Sequence, residues 1–234
     1  GPDGRITVAG RTDARNFPTT DGSFQREHQA GMIGFVLRLT ALGEQLVWST
    51  YLGTPQPIGY TEIRDLAVTK NGATIVCGHT NGAEFPVTEG ALKTDFDGKG
   101  GMGFLTKLDP QANSLDWSTF IGGNEGVELG VDGCATSEQD SITISGITGS
   151  SDFPVTDGAW VPPIVDTERS QAYALRLNSG GNQILWSCVF GGTSDEFTAR
   201  LDLMPDGGVL IGGDTYSHDF PTTLGAFQET IEFI

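Results

Sequence analysis

One short device recurs at a fixed interval through the whole chain: "ARNFPTTDGSF" from residue 14, "GAEFPVTEGAL" from 82, "SSDFPVTDGAW" from 150 and "SHDFPTTLGAF" from 217. Its Phe-Pro pairs start at Phe17, Phe85, Phe153 and Phe220, at intervals of 68, 68 and 67 residues. Further anchors keep the same period and order. Trp48, Trp117 and Trp186 stand in "VWSTYLG", "DWSTFIG" and "LWSCVFG", each 69 residues after the last. The runs "FVLRL", "FLTKL" and "YALRL" begin at Phe35, Phe104 and Tyr173, and "ITVAGRT", "TIVCGHT", "ITISGIT" and "VLIGGDT" form a fourth series. A period of this kind restricts the chain to a repeat architecture, in which each unit buries its apolar face against its neighbours.

Within one period the apolar residues alternate over short runs bounded by Gly, Asn, Asp and Pro, the pattern of strands rather than helices. Four strands fit one unit: "RDLAVTK" at 64–70, "TIVCGHT" at 74–80, "GFLTKL" at 103–108 and "LDWSTFIG" at 115–122. The turn "KNGA" between the first two carries an Asn-Gly hairpin signal, and "MPDGG" occupies the same place later. One repeat thus reads as a four-stranded antiparallel meander of about 68 residues, and the chain as an all-β protein of β-propeller blades. The expected division is a partial repeat over 1–53, repeats over 54–122 and 123–191, and a partial repeat over 192–234. A β-solenoid fits less well, because its shorter coils lack these hairpin turns. Propellers close with roughly four to eight blades, so about 3.4 repeats predict an incomplete ring that continues in a longer chain or associates with other copies.

The combination of a Gly-Gly loop, an "A-V-x-x-x-G" strand, "G-x-T", "F-P-x-T-x-G-A", "F-V-x-K-L" and "W-S-T-Y-L-G" resembles the bacterial SBBP β-propeller repeat. The likeness runs through nearly the whole chain. It implies a propeller fold and a secreted, cell-surface or periplasmic bacterial protein, and it brings no catalytic residues with it.

Residues identical in every copy are explained by geometry common to all units, so Phe17, Phe85, Phe153, Phe220, Trp48, Trp117 and Trp186 read as structural. The threonines at 12, 80, 148 and 215, and those at 20, 88, 156 and 223, read the same way. Proline fixes φ, threonine bonds nearby backbone and glycine allows positive φ. Positions where the copies disagree are better candidates for function. Inside "G-x-T" the middle residue is Arg11, His79, Ile147 and Asp214 in turn, and Arg11, His79 and Asp214 are the candidate binding residues.

The chain carries 30 Asp plus Glu against 13 Lys plus Arg, a formal charge of −17, which repels phosphate backbones and anionic headgroups. Nucleic acid and membrane insertion are therefore not expected, and a cation or cationic partner is the natural complement. In a meander the Phe-Pro loops and Gly-Gly loops share one end of the sheets. That end collects Asp21, Glu84, Glu89, Asp95, Asp97, Asp152, Asp157 and Asp219, with Glu62, Glu125, Glu128, Asp195 and Glu196. An acidic loop face is the expectation.

Calcium takes 6 to 8 oxygen ligands in loops of this composition, so Asp95, Asp97, Asp152, Asp157 and Asp219 are its candidate ligands. The stretch "TDFDGKG" is the nearest approach to a calcium loop, without the later bidentate Glu. No other cofactor is implied. Cys77, Cys134 and Cys188 are too widely spaced for a zinc site and read as small core residues. The function expected is a non-enzymatic extracellular or cell-surface module that binds a protein or glycan partner or acts as a scaffold. A carbohydrate-active enzyme using paired carboxylates, with Asp195 and Glu196 beside Trp186, is the alternative, and a self-assembling structural protein is a further one.

Overall fold

The computed structural model describes residues 3–28, 31–54, 59–96, 99–160 and 169–230. It is all-β: thirteen strands and no helix occur among the described residues. They are β1 Ile6–Thr12, β2 Ile33–Leu39, β3 Leu46–Leu52, β4 Thr61–Val68, β5 Thr74–Thr80, β6 Met102–Leu108, β7 Leu115–Ile121, β8 Glu128–Thr136, β9 Ile142–Thr148, β10 Gln171–Leu177, β11 Ile184–Phe190, β12 Glu196–Leu203 and β13 Val209–Thr215. Every pairing between these strands is antiparallel and joins sequence neighbours, giving sheets β1-β2-β3, β4-β5-β6-β7, β8-β9-β10-β11 and β12-β13. The expected meander is present in full in the second and third sheets. Its first strand begins at Thr61 rather than Arg64, because Thr61 still pairs with Thr80 and their hydroxyls bond at 3.0 Å.

Consecutive sheets pack on one another. The first strand of each four-stranded sheet lies along its counterpart, β4 along β8 and β8 along β12. Among the described residues the stack does not close into a ring. One core fills the space between the first and second sheets, with Val36, Trp48, Ile63, Val76, Phe85 and Phe104. A second lies between the second and third sheets, with Ile75, Cys77, Trp117, Val131, Ile144 and Tyr173. Cys77 and Cys134 are buried free thiols, and Cys188 is half-buried.

The recurring Phe-Pro device is a clip inside each of the first three sheets. Phe17, Phe85 and Phe153 stack on the aromatic residue of the third strand, Phe35, Phe104 and Tyr173, at 4.5, 4.4 and 4.4 Å. Three residues on, the hydroxyls of Thr20, Thr88 and Thr156 accept the backbone N–H groups of Ser49, Ser118 and Ser187 on the fourth strand, at 3.0, 3.0 and 3.1 Å. The glycines that follow, Gly22, Gly90, Gly158 and Gly225, all have φ between 76° and 84°, a backbone state in which a β-carbon is strained. The "G-x-T" threonines at 12, 80, 148 and 215 each accept the N–H two residues ahead, within 3.0 to 3.2 Å.

Two other repeated residues clip one sheet to the next. The indole N–H of Trp48 donates to the Pro110 carbonyl of the second sheet, and that of Trp117 to the Ser179 carbonyl of the third, both at 3.1 Å. Arg38 lies over Trp48 and donates to the Gly72 carbonyl, while Arg176 lies over Trp186 and donates to the Gly207 carbonyl. The residues that repeat thus hold strands within sheets and sheets to one another.

Candidate functional site

The loop end separates its acids into two kinds. Asp152 accepts the N–H groups of Asn124 and Glu125 at 2.7 and 2.9 Å, along with the Ser150 hydroxyl at 2.6 Å. Asp219 does the same for the next loop, taking the N–H and hydroxyl of Thr193 at 2.9 and 3.0 Å. These bonds hold both carboxyls below the usual aspartate range. At Asp152 they outweigh the opposing effect of burial, and at Asp219 the Thr193 N–H contributes most. The close fit explains the Gly-Gly pairs, since a β-carbon on Gly123 would stand 2.3 Å from an Asp152 carboxylate oxygen and one on Gly192 2.4 Å from that of Asp219.

Two acids expected on the exposed face lie inside the protein instead. Glu128 and Glu196 are only 3% and 1% exposed. Each begins the first strand of its sheet and turns inward. Glu128 accepts the Gly123 N–H at 2.7 Å and the Thr148 hydroxyl at 3.0 Å, and Glu196 accepts the Gly192 N–H at 2.8 Å and the Ser217 hydroxyl at 2.5 Å. Asp195 accepts the Ser170 N–H at 2.9 Å. The pair suggested for glycan chemistry is therefore engaged in holding loops. By contrast Asp21, Glu84, Glu89, Asp95 and Asp157 are exposed. Asp97 lies outside the described residues, as do residues 55–58. Among the described residues no three His, Cys, Asp or Glu side chains gather as metal ligands do.

Burial pushes the Glu128 carboxyl up to about 7 from an ordinary 4.5, against the pull of its two hydrogen-bond donors. The folded chain therefore keeps this proton up to about pH 7, whereas the unfolded chain loses it near 4.5. The contribution is complete below the lower value and is lost as pH rises through the upper one, about 3 kcal/mol in all. Glu128→Gln is expected to match the parent near pH 5 and to be more stable than it near pH 8. Denaturant titrations of both chains at the two pH values check this.

The second feature is a polar line across the first strands of three sheets. Register shifts mark β-bulges at equivalent places: between Ile63 and Asp65 in β4, between Val131 and Gly133 in β8, and between Thr198 and Arg200 in β12. A bulge turns a residue out of the ladder. Here it lets Arg64 cross from β4 to β8, where it donates to the Leu129 carbonyl and to Asp132, both at 2.7 Å. The other oxygen of Asp132 takes the Thr198 hydroxyl of β12 at 2.7 Å. On the far side Arg64 meets Glu62 at 3.2 Å, Glu62 meets Arg11 at 2.8 Å, and Arg11 also donates to the Tyr60 hydroxyl. Asp65 accepts the Cys134 N–H of β8 at 3.0 Å.

Environment drives two of the carboxyls of this line, Asp132 and Glu62, apart. Burial raises Asp132 above the usual aspartate range despite Thr198 and Arg64. Burial also acts on Glu62, but hydrogen bonds from Tyr60 and Arg64 outweigh it and hold Glu62 low. His79 stands beside this line, its ring 6.3 Å from that of Tyr60. Burial, followed by the charge of Arg64, lowers its pKa, so the neutral imidazole is favoured.

Of the three residues singled out at the variable "G-x-T" position, the structure brings Arg11 and His79 to Tyr60. Asp214 is elsewhere, exposed on β13 beside a cavity of about 280 Å³. Arg64, Asp65 and Asp132, which complete the line with Glu62, escaped selection because they stand in first strands, away from the variable "G-x-T" position. Their signal is the loss of repeat identity itself: Arg64 and Asp132 occupy equivalent bulges with opposite charge. No protein-family model matches the chain, and no curated protein does.

Proposed function

We propose that the chain is a non-enzymatic β-propeller module, carried by a secreted or cell-surface bacterial protein, that serves as a rigid binding or scaffold unit with an acidic loop face. The antiparallel four-stranded meanders and their face-to-face packing support the propeller, and the resemblance to the SBBP repeat supports the setting. The observation that carries the binding role is the division of acids at the loop end. Asp152, Asp219, Glu128 and Glu196 fasten the loops, while Glu84, Glu89 and Asp157 face solvent on the frame so fixed. Exposed charge on a fixed backbone gives steering and selectivity toward a cationic partner.

Poly-lysine immobilised on a sensor surface tests the reading. Changing Glu84, Glu89 and Asp157 to their amides is expected to weaken retention of the chain at least about tenfold at low salt. The same charge change at Glu44, Glu138 and Asp206, on the opposite end, is expected to leave retention within about twofold. Equal losses from both sets would reduce the loop face to bulk charge. Substrate turnover abolished by a single carboxylate substitution would overturn the non-enzymatic reading.

A further inference from the structure

Two cysteines of different sheets share one core. Cys77 lies on β5 with no exposed surface, and Cys134 lies on β8 and is 5% exposed. These strands pack on one another between the second and third sheets. Asp65 ties the two positions together, since it stands opposite Cys77 in the β4–β5 register and its carboxylate accepts the Cys134 N–H at 3.0 Å. The two thiols hydrogen-bond to each other.

The other sheets show what these positions hold when they are not cysteine. On the second strand the counterparts of Cys77 are Ala9 and Ser145. On the first strand, just past the bulge, the counterparts of Cys134 are Leu66 and Leu201. Ala9 and Leu66 share the core between the first and second sheets. Ser145 and Leu201 meet between the third and fourth, where a β-carbon on Gly133 would stand 3.0 Å from both Ser145 Oγ and Leu201 Cβ. The same two positions therefore face each other at every described interface between sheets. In two interfaces a small residue meets a leucine, and in the third a cysteine meets a cysteine, so both departures from the pattern fall on one contact.

We propose that Cys77 and Cys134 are a disulfide-forming pair that joins the second and third sheets covalently. The oxidant is a small disulfide such as oxidised glutathione. One cysteine thiolate attacks it, forming a mixed disulfide and releasing one glutathione thiol. The other cysteine then attacks the protein sulfur of that mixed disulfide, forms the Cys77–Cys134 bond and releases the second glutathione. The cysteines lose two protons and two electrons in all, and the electrons end in the two glutathione thiols. Closing the existing thiol contact brings the sulfurs to the bond length of about 2.05 Å. Burial pushes the Cys77 thiol well above the ordinary cysteine range, so the reactive thiolate forms when the two sheets part. Oxidation is accordingly slow in the folded chain and faster in sub-denaturing urea. Cys188 takes no part, being half-buried on β11 opposite Ala174. The inference goes beyond the binding role and does not depend on it, so failure here leaves the poly-lysine comparison standing.

The test incubates the whole chain with oxidised glutathione, with and without sub-denaturing urea, then unfolds it in an alkylating agent for intact and peptide mass spectrometry. The expected product has lost two hydrogens, contains a peptide pair linking Cys77 to Cys134, and is alkylated at Cys188 alone. Its urea midpoint should rise, because the cross-link restricts the unfolded chain, and should return to that of the parent on reduction. Cys77→Ala/Cys134→Leu, which installs the pair found between the first and second sheets, should fold with the circular dichroism of the parent and show no such change of midpoint with oxidant. Recovery of all three cysteines alkylated, glutathione retained on Cys77 or Cys134 without a cross-link, linkage to Cys188, or a cross-linked chain with an unraised midpoint would each overturn the proposal.

Discussion

Arg64→Ala is expected to cost about 3 kcal/mol of folding stability, the penalty for stranding a largely buried carboxylate without its partner. The side chain of Asp132 is 12% exposed, and without Arg64 it keeps only the Thr198 hydroxyl. Part of the cost should return in Arg64→Ala/Asp132→Asn, where no charge is left to be buried. A double-mutant cycle by denaturant unfolding measures the coupling, expected at about 1 kcal/mol or more. Arg200 offers a control, because it approaches Asp65 only at 3.8 Å with its side chain 79% exposed. Arg200→Ala should change stability by less than about 0.5 kcal/mol.

Phe85→Ala is expected to be larger still, at about 4 kcal/mol. Phe85 is 2% exposed and packs on Phe104 and Phe120 at 4.4 and 6.0 Å. Truncating such a ring forfeits its transfer free energy and leaves a cavity walled by rigid strands. The same change at Phe220, the equivalent residue of the fourth copy but half-buried, should cost less than about 1 kcal/mol. The contrast between two copies of one motif separates the role of the residue from the role of its surroundings.

The repeat made the strands legible because alternation and turn chemistry are local properties, written into each unit and checked by the next. "TIVCGHT" is β5 as read, and "GFLTKL" falls within β6. The structural reading of the Phe, Trp and Thr series rested on identity across the copies and on the general roles of Pro, Thr and Gly; the contacts these residues make are a ring stack, an indole bond across sheets and a hydroxyl on the fourth strand. The acids were harder. Whether Glu128 faces water or turns inward depends on a loop folding back over it, and composition carries no sign of that. A trace does exist: the sheets that begin with Glu128 and Glu196 are preceded by Gly-Gly, and their clips read Ser-x-Asp-Phe-Pro at Ser150 and Ser217. In the second sheet Thr61 takes the place of the glutamate, and Gly82 and Glu84 those of the serine and aspartate. Co-occurrence across copies, rather than the acid count, identifies the clamps. The Arg64 to Asp132 line was illegible for a different reason, because a bulge changes which residues face a neighbouring sheet without leaving a mark in the alternation.

Amide exchange at Asn124 and Glu125, compared between Asp152→Asn and Asp157→Asn, tests most directly the division of the loop-end acids into clamps and presented charge. Asp152 accepts both N–H groups, whereas Asp157 is exposed on the Phe-Pro loop. The account predicts exchange at least about tenfold faster in Asp152→Asn, with Asp157→Asn indistinguishable from the parent. Equal exchange in the two variants would contradict it.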